Sequence, residues 1–141
     1  MFLIMDIKSL NLKKFEEYGS KISRRISLNK SYSFGLPPAF YQEQGIANYT
    51  HAHLFFDDTQ KVVGIQFVKI GDGEKGVKLV TYGQGSDTGA TFIARAFFNK
   101  HNIDPKKYYG KYDFNKENIE GVGEVYLFQL KENKTGSKSD D

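Results

Sequence analysis

Two eleven-residue stretches decide the fold: LPPAFYQEQGI at residues 36–46 and IARAFFNKHNI at residues 93–103. Both read as an aliphatic residue, two spacers, Ala-Phe, a second aromatic residue, three spacers, a residue that tolerates a left-handed backbone, and Ile, with no gap. A single strand–helix–hairpin unit is too small to bury its own phenylalanine face, whereas two units packed about a pseudo-twofold axis bury both faces together. The pattern therefore predicts an internal duplication.

The sequence around the two stretches predicts short strands and two short helices. Alternating or β-branched runs predict strands over residues 26–28, 33–36, 51–56, 62–68, 77–82, 111–114 and 124–130. The first helix follows Pro37-Pro38 and ends at Gly45. The second covers residues 91–102 and ends at Asn102, and residues 115–123 are expected to form a turn.

These elements predict an α+β fold that is mostly antiparallel. We expect a pseudo-twofold duplication of a β(β)αββ unit, packed as one small barrel-like domain. The domain is expected to cover residues 24–130, with repeats at residues 24–70 and 76–130. An N-terminal arm or short helix at residues 1–23 precedes it, and a disordered tail at residues 131–141 follows it.

The composition restricts the class of protein. The 141 residues include 12 Phe and 9 Tyr, which are enough large aromatic side chains to repay chain entropy when buried. The absence of cysteine excludes disulfides and thiolate metal sites, and it fits a reducing cytoplasm. No run approaches the roughly 18 apolar residues of a membrane span. We therefore expect a cytoplasmic protein without membrane contact.

The first half resembles the swapped-hairpin DNA-binding domains of the AbrB type. The resemblance is carried by Phe34-Gly35-Leu36-Pro37, Ala39-Phe40, Gly45-Ile46 and a hairpin over residues 54–67. In that family two such units interlock, and in MraZ-like proteins both units lie in one chain of about this length. The second half departs from the pattern, since Ala94-Arg95 replaces the proline. The resemblance implies DNA binding and transcription regulation, or an antitoxin-like role.

Basic residues suggest where a nucleic acid would bind. The formal net charge is +3, and the first 30 residues are rich in lysine and arginine. Each cation that neutralises a phosphate releases a counterion, and arginine makes forked contacts to phosphate or guanine. An ordinary solvated face is the alternative interpretation. The candidate nucleic-acid-binding residues are Lys21, Arg24, Arg25, Lys30, Lys75, Lys78 and Arg95.

Other patterns give little support to catalysis or metal binding. His51 and His53 share one face of a strand, but two ligands alone are a weak metal signal. The glycine-rich residues 83–89 (GQGSDTG) lack the Lys-Ser/Thr of a P-loop, and no GxSxG motif is present. We therefore expect no enzymatic activity, no metal and no cofactor.

Two functions follow as hypotheses. The first is a small nucleic-acid-binding protein, with DNA as the expected ligand and a regulatory role. The alternative is a protein-interaction module, such as an antitoxin-like or a phage or plasmid accessory protein, which predicts an exposed apolar patch. Either a monomer or a homodimer is compatible with the sequence.

Overall fold

The computed structural model describes residues 11–12, 24–70, 75–81 and 89–133, and every structural statement below concerns these residues. Lys21, Tyr82 and nearly all of the predicted N-terminal arm lie outside them, as do residues 83–88 of the glycine-rich loop and residues 134–141. The helices are α1 (Pro38–Glu43), α2 (Arg95–Lys100) and α3 (Pro105–Tyr108), with a 3₁₀ turn at Ile46–Asn48. The strands are β1 (Ile26–Asn29), β2 (Ser33–Leu36), β3 (His51–Asp57), β4 (Val62–Val68), β5 (Val77–Lys78), β6 (Val80–Thr81), β7 (Ala90–Ile93), β8 (Gly110–Tyr112), β9 (Asn115–Ile119) and β10 (Gly123–Gln129).

The strands form two five-stranded sheets in which all pairings are antiparallel. Sheet A has the order β6-β7-β2-β1-β8, and sheet B has the order β5-β3-β4-β10-β9. Each sheet combines strands from both halves of the chain: β2 pairs with β7 in sheet A, and β4 pairs with β10 in sheet B. The α+β class and the antiparallel character predicted from the sequence are confirmed.

An aromatic core lies between the sheets and the helices. Phe34 of β2 is fully buried, and its ring centroid lies 5.3 Å from those of Phe92 and Phe98 and 6.1 Å from that of Phe128 in sheet B. Phe40 of α1 packs against Phe114 and Tyr126 in the same way. The pairing of Phe34 with Phe128 shows that the inner faces of the two sheets meet directly, as in other two-layer cores.

Several predictions about the architecture are wrong. The described strands do not close into a barrel but form two separate sheets, and three short α-helices are present instead of two. Residues 91–93, predicted as the start of the second helix, belong to β7, because Thr91 and Phe92 pair with Gly35 and Phe34 of the adjacent strand. Residues 115–119, predicted as part of a turn, form the edge strand β9, in which every residue is solvent-exposed to some extent.

The two helical stretches end as the sequence predicts. Gly45 after α1 has φ 66°, and Asn102 after α2 has φ 55°, so both adopt the left-handed conformation that closes a helix. The amide of Gly45 donates to the Gln42 carbonyl, and that of Asn102 donates to the Asn99 carbonyl. These two residues therefore set the direction in which the chain leaves each helix.

Replacing Gly45 with alanine should lower the free energy of unfolding by about 1–2 kcal/mol, because a Cβ is disfavoured in the left-handed region. A Cβ at this position would meet no atom closer than the Asn48 side-chain nitrogen at 3.5 Å, so the cost arises from the backbone and not from crowding. Urea denaturation of the variant measures the change. Asn102→Gly is the matched control, and we expect it to be neutral or slightly stabilising. Equal stability of Gly45→Ala and wild type would contradict the assigned backbone conformation.

Candidate nucleic-acid interface

The candidate site is built on residues 106–112, which read KKYYGKY. Asp104 caps α3 through a side-chain oxygen that accepts a hydrogen bond from the Lys106 amide, and Pro105 occupies the first helical position. The helix ends at Tyr108, and Gly110 with φ 142° starts β8. This short turn of helix therefore delivers two tyrosines and a lysine to the edge of sheet A.

Strand β8 is the edge of sheet A and pairs with β1 on one side. Lys111 lies opposite Ser27, and Tyr112 lies opposite Ile26. Because side chains alternate along a strand, buried Tyr112 faces the core and exposed Lys111 faces outward. Arg25 precedes β1 on the same outward side as Ser27, so it lies near Lys111.

A groove of about 540 Å³ runs along this edge. Its walls combine the residue that precedes β1, the edge strand β8 with Tyr109 before it, and the segment after β10. It is lined by Arg25, Tyr109, Gly110, Lys111, Tyr112, Lys131, Glu132 and Asn133.

A second hollow of about 410 Å³ adjoins the first, and residues 109–111 belong to both. Its other wall is formed by residues 27–31, the end of β1 and the following turn. There the Lys30 ammonium lies 4.3 Å from the centre of the Tyr109 ring, a cation–π contact. We refer to the two adjoining hollows together as the basic groove.

The buried hydroxyl of Tyr112 holds the wall of the basic groove together. It donates a hydrogen bond to the Tyr108 carbonyl in α3 and accepts one from the Lys131 amide at 3.2 Å. Burial raises the pKa of Tyr112, so the hydroxyl stays protonated and remains a donor at neutral pH. Asn133 completes the wall by donating from its side chain to the Lys107 and Tyr109 carbonyls.

Positive charge dominates around the basic groove. Three exposed carboxylates offset part of it: Glu132 lies 3.5 Å from the Lys107 ammonium, Asp104 caps α3, and Asp113 directly follows β8. Fixed cations around a concave surface concentrate anions there. Six exposed cationic side chains line or flank the groove: Arg25, Lys30, Lys106, Lys107, Lys111 and Lys131.

Among the described residues, the candidate residues chosen from the sequence lie in four places. Arg25 and Lys30 line the basic groove. Arg24 forms a two-oxygen ion pair with Glu43 of α1, at 2.8 and 2.9 Å from its Nε. Arg95 packs over the Tyr32 ring at 4.5 Å, next to the turn that carries Lys30.

Lys75 and Lys78 lie elsewhere, near His53 and His51 at the β5 edge of sheet B. Since β6, two residues after Lys78, is the opposite edge of sheet A from β8, these lysines do not join the basic groove. The structure thus places Arg25 and Lys30 in one groove and separates them from Lys75 and Lys78. The Tyr32 ring itself packs edge-on against Phe98, with 5.7 Å between the ring centroids.

The sequence-based selection missed Lys106, Lys107, Lys111 and Lys131. A signal was present in KKYYGKY, where lysines alternate with tyrosines, a composition typical of surfaces that bind single-stranded nucleic acid. The contribution of Lys131 was not visible in the sequence, because only the fold places the end of β10 beside β8.

The histidine pair forms local polar contacts. His51 Nδ1 lies 2.7 Å from the Thr50 hydroxyl, and His53 Nε2 lies 2.9 Å from the Lys75 carbonyl. Among the described residues no three His, Asp or Glu side chains come close enough to hold a metal ion.

In the described part of the chain, none of the helices has the length and apolar character needed to cross a membrane. No protein-family model, curated protein or solved structure is significantly similar to this chain.

Proposed function

We propose that this chain binds nucleic acid, DNA in the first place, through the basic groove. The observation that carries the proposal is the gathering of six exposed cations around Tyr108 and Tyr109 at one sheet edge. Arginine and lysine supply the phosphate contacts that dominate nucleic-acid affinity. A regulatory role on DNA, which the AbrB-type resemblance implies, is part of the same proposal.

The shape of the groove supports a backbone-tracking mode of binding. Arg25, Lys111 and Lys131 line one hollow and Lys30 lines the next, so cations follow the groove along its length. An edge strand also presents backbone N–H groups, which donate to phosphate oxygens in many complexes. Tyr109 lies between the hollows, where an aromatic side chain provides a surface for an unpaired base.

We also infer that the chain is an internal duplication. The bounds of β2 and α1 recur in β7 and α2 after a shift of 57 positions, from Ser33 to Ala90 and from Pro38 to Arg95. The left-handed residue follows the same shift, from Gly45 to Asn102. The halves have diverged, as Leu36 is buried and its counterpart Ile93 is 64% exposed.

The duplication bears on function through the resemblance noted in the sequence. In swapped-hairpin DNA-binding proteins, two strand–helix–hairpin units interlock, and here strands of the two halves pair in both sheets. The basic groove involves both halves as well, since it joins β1 to β8. The binding proposal does not depend on the duplication, because it rests on the cations of the basic groove.

The test is a binding titration of the full chain by fluorescence anisotropy. The probes are a labelled single-stranded DNA, the duplex of the same sequence and the corresponding RNA, each measured from about 50 to 200 mM salt. If four groove cations contact phosphates, the logarithm of the affinity for single-stranded DNA falls with the logarithm of the salt concentration with a slope of about −3. The preferred probe identifies the strand type.

Two outcomes would contradict the proposal. One is the absence of binding to all three probes at the lowest salt, where phosphate contacts are strongest. The other is binding that does not depend on salt, since groove lysines and arginines cannot bind phosphate without releasing counterions.

A further inference from the structure

A second concave surface lies on the outer face of sheet B, away from the core. Its floor is Gly64 in the middle of β4, which pairs with Phe55 of β3 and Leu127 of β10. A Cβ on Gly64 would lie 3.1–3.3 Å from Val125, Leu127 and Phe55, so the missing side chain creates the depression. We call this surface the Gly64 groove.

The Gly64 groove is apolar and open to solvent. It has a volume of about 400 Å³, and its large apolar lining residues are Phe55, Phe56, Val62, Leu127 and Ile119. Phe55 of β3 and Ile119 at the end of the edge strand β9 are large apolar side chains, yet they are 39% and 38% exposed. Apolar surface that is both concave and exposed is typical of a binding site.

The rim of the Gly64 groove is acidic. Asp57 lines it, Asp58 follows in the adjoining turn, and Glu117 lies two residues before Ile119 on the same face of β9. Glu120 follows Ile119 directly, and it is exposed like the other three carboxylates. Lys61 is the cation beside this rim, and its ammonium lies 3.4 Å from Asp58. The rim therefore carries an excess of negative charge.

We propose that the Gly64 groove docks a protein segment in which aliphatic or aromatic side chains alternate with lysine or arginine. The apolar side chains fill the depression over Gly64, and the cations pair with Asp57, Glu117 and Glu120. Charge complementarity of this kind selects partners and speeds their association. The inference is independent of nucleic-acid binding, because the two grooves belong to different sheets.

The same rim argues against a second copy of this chain as the occupant. In a symmetric dimer the same patch meets itself, which would bring Asp57 and Glu117 of one copy close to those of the other. Like charges facing each other across an interface repel and disfavour that pairing. Contact between this rim and the basic groove of another copy is head-to-tail and gives open-ended assemblies, which sedimentation would reveal.

The test uses the ¹⁵N-labelled full chain and two capped heptapeptides. One alternates lysine with leucine and phenylalanine, and the other replaces every lysine with glutamate. We expect the basic peptide to shift the amide signals of Phe55, Gly64, Leu127 and Ile119, and the acidic peptide to leave them unchanged. Phe55→Ser should lower the affinity for the basic peptide by about tenfold, as truncation of a central contact does at other interfaces.

Matched variants separate the two grooves. Val80→Ser removes an apolar side chain that is 51% exposed in sheet A, and it should leave peptide affinity unchanged. Arg25→Glu should also leave peptide binding intact, whereas Phe55→Ser should leave oligonucleotide binding intact. Equal shifts with both peptides, shifts outside the Gly64 groove, or no shifts would overturn the proposal. A dimer that Phe55→Ser dissociates would identify a second copy as the occupant instead.

Discussion

A chain carrying Arg25→Glu and Lys111→Glu should bind single-stranded DNA at least about tenfold more weakly than wild type at 0.1 M salt. Both side chains line the same hollow of the basic groove, on the outward side of the β1–β8 pair. Each substitution removes one cation and adds an anion beside the remaining lysines. The expected loss is therefore larger than that of two neutral substitutions.

The salt dependence of the same variant gives a second, independent readout. Each phosphate contact that is lost reduces the magnitude of the slope for single-stranded DNA by about 0.7. Two lost contacts should therefore flatten the slope by about 1.4 relative to wild type. A weaker affinity with an unchanged slope would indicate that the substitutions had altered the fold and not the contacts. Urea denaturation of the variant checks this directly.

Lys75→Glu with Lys78→Glu is the matched control for charge. It makes the same change in net charge, but at the β5 edge of sheet B, remote from β8. We expect the affinity of this control to stay within about threefold of wild type, because screened charges beyond a Debye length contribute little. If both double variants lose affinity equally, binding follows net charge alone and the groove is not the site.

The local elements of the fold were predictable because short-range chemistry determines them. Pro37-Pro38 starts α1, Gly45 and Asn102 end the helices, and residues 51–57 and 62–68 alternate as a half-buried hairpin must. The polar strand β9 was missed, because edge strands without a buried face carry no hydrophobic alternation. The sequence contains no comparable local signal that assigns each strand to sheet A or to sheet B.

The candidate site was predictable only in part, since it depends on contacts distant in sequence. Arg25 and Lys30 were selected as basic residues near the first strand, yet their neighbours Lys111 and Lys131 come from the other end of the domain. The pairing of β1 with β8 creates this proximity. Similarly, Arg24 is a strong candidate in the sequence, but the fold directs its Nε to Glu43.

The segment of residues 77–81 explains why a barrel was the wrong expectation. It belongs to a single strand predicted over residues 77–82, but β5 pairs with β3 in sheet B, and β6 pairs with β7 in sheet A. The chain therefore passes between the sheets within a few residues. A strand that changes sheets is a known way to make a corner between two packed layers. Periodicity within the segment does not distinguish it from a strand that stays in one sheet.

Phe34→Ala should lower the free energy of unfolding by about 3–5 kcal/mol, the usual cost of removing a fully buried phenylalanine ring. Phe34 has no exposed surface, and its ring lies near those of Phe92, Phe98 and Phe128. The loss is a large fraction of the roughly 5–15 kcal/mol that stabilises a typical domain. Urea denaturation followed by circular dichroism measures it. Phe55→Ala is the control, and we expect it to cost about 1 kcal/mol because that ring is partly exposed.

A double-mutant cycle between Phe34 and Phe128 tests whether the two sheets share one core. The residues lie on different sheets, and their ring centroids are 6.1 Å apart in an edge-to-face arrangement. The cycle should give a coupling of about 0.5–1.5 kcal/mol, as for other aromatic pairs. Phe34 lies in the core and Phe55 on the outer face of sheet B, so substitutions of these two residues should show no coupling. If the free-energy changes of the Phe34 and Phe128 substitutions were also additive, the sheets would not pack face to face. The placement of the segment after β10 beside β8, which forms one wall of the basic groove, would then be unsupported.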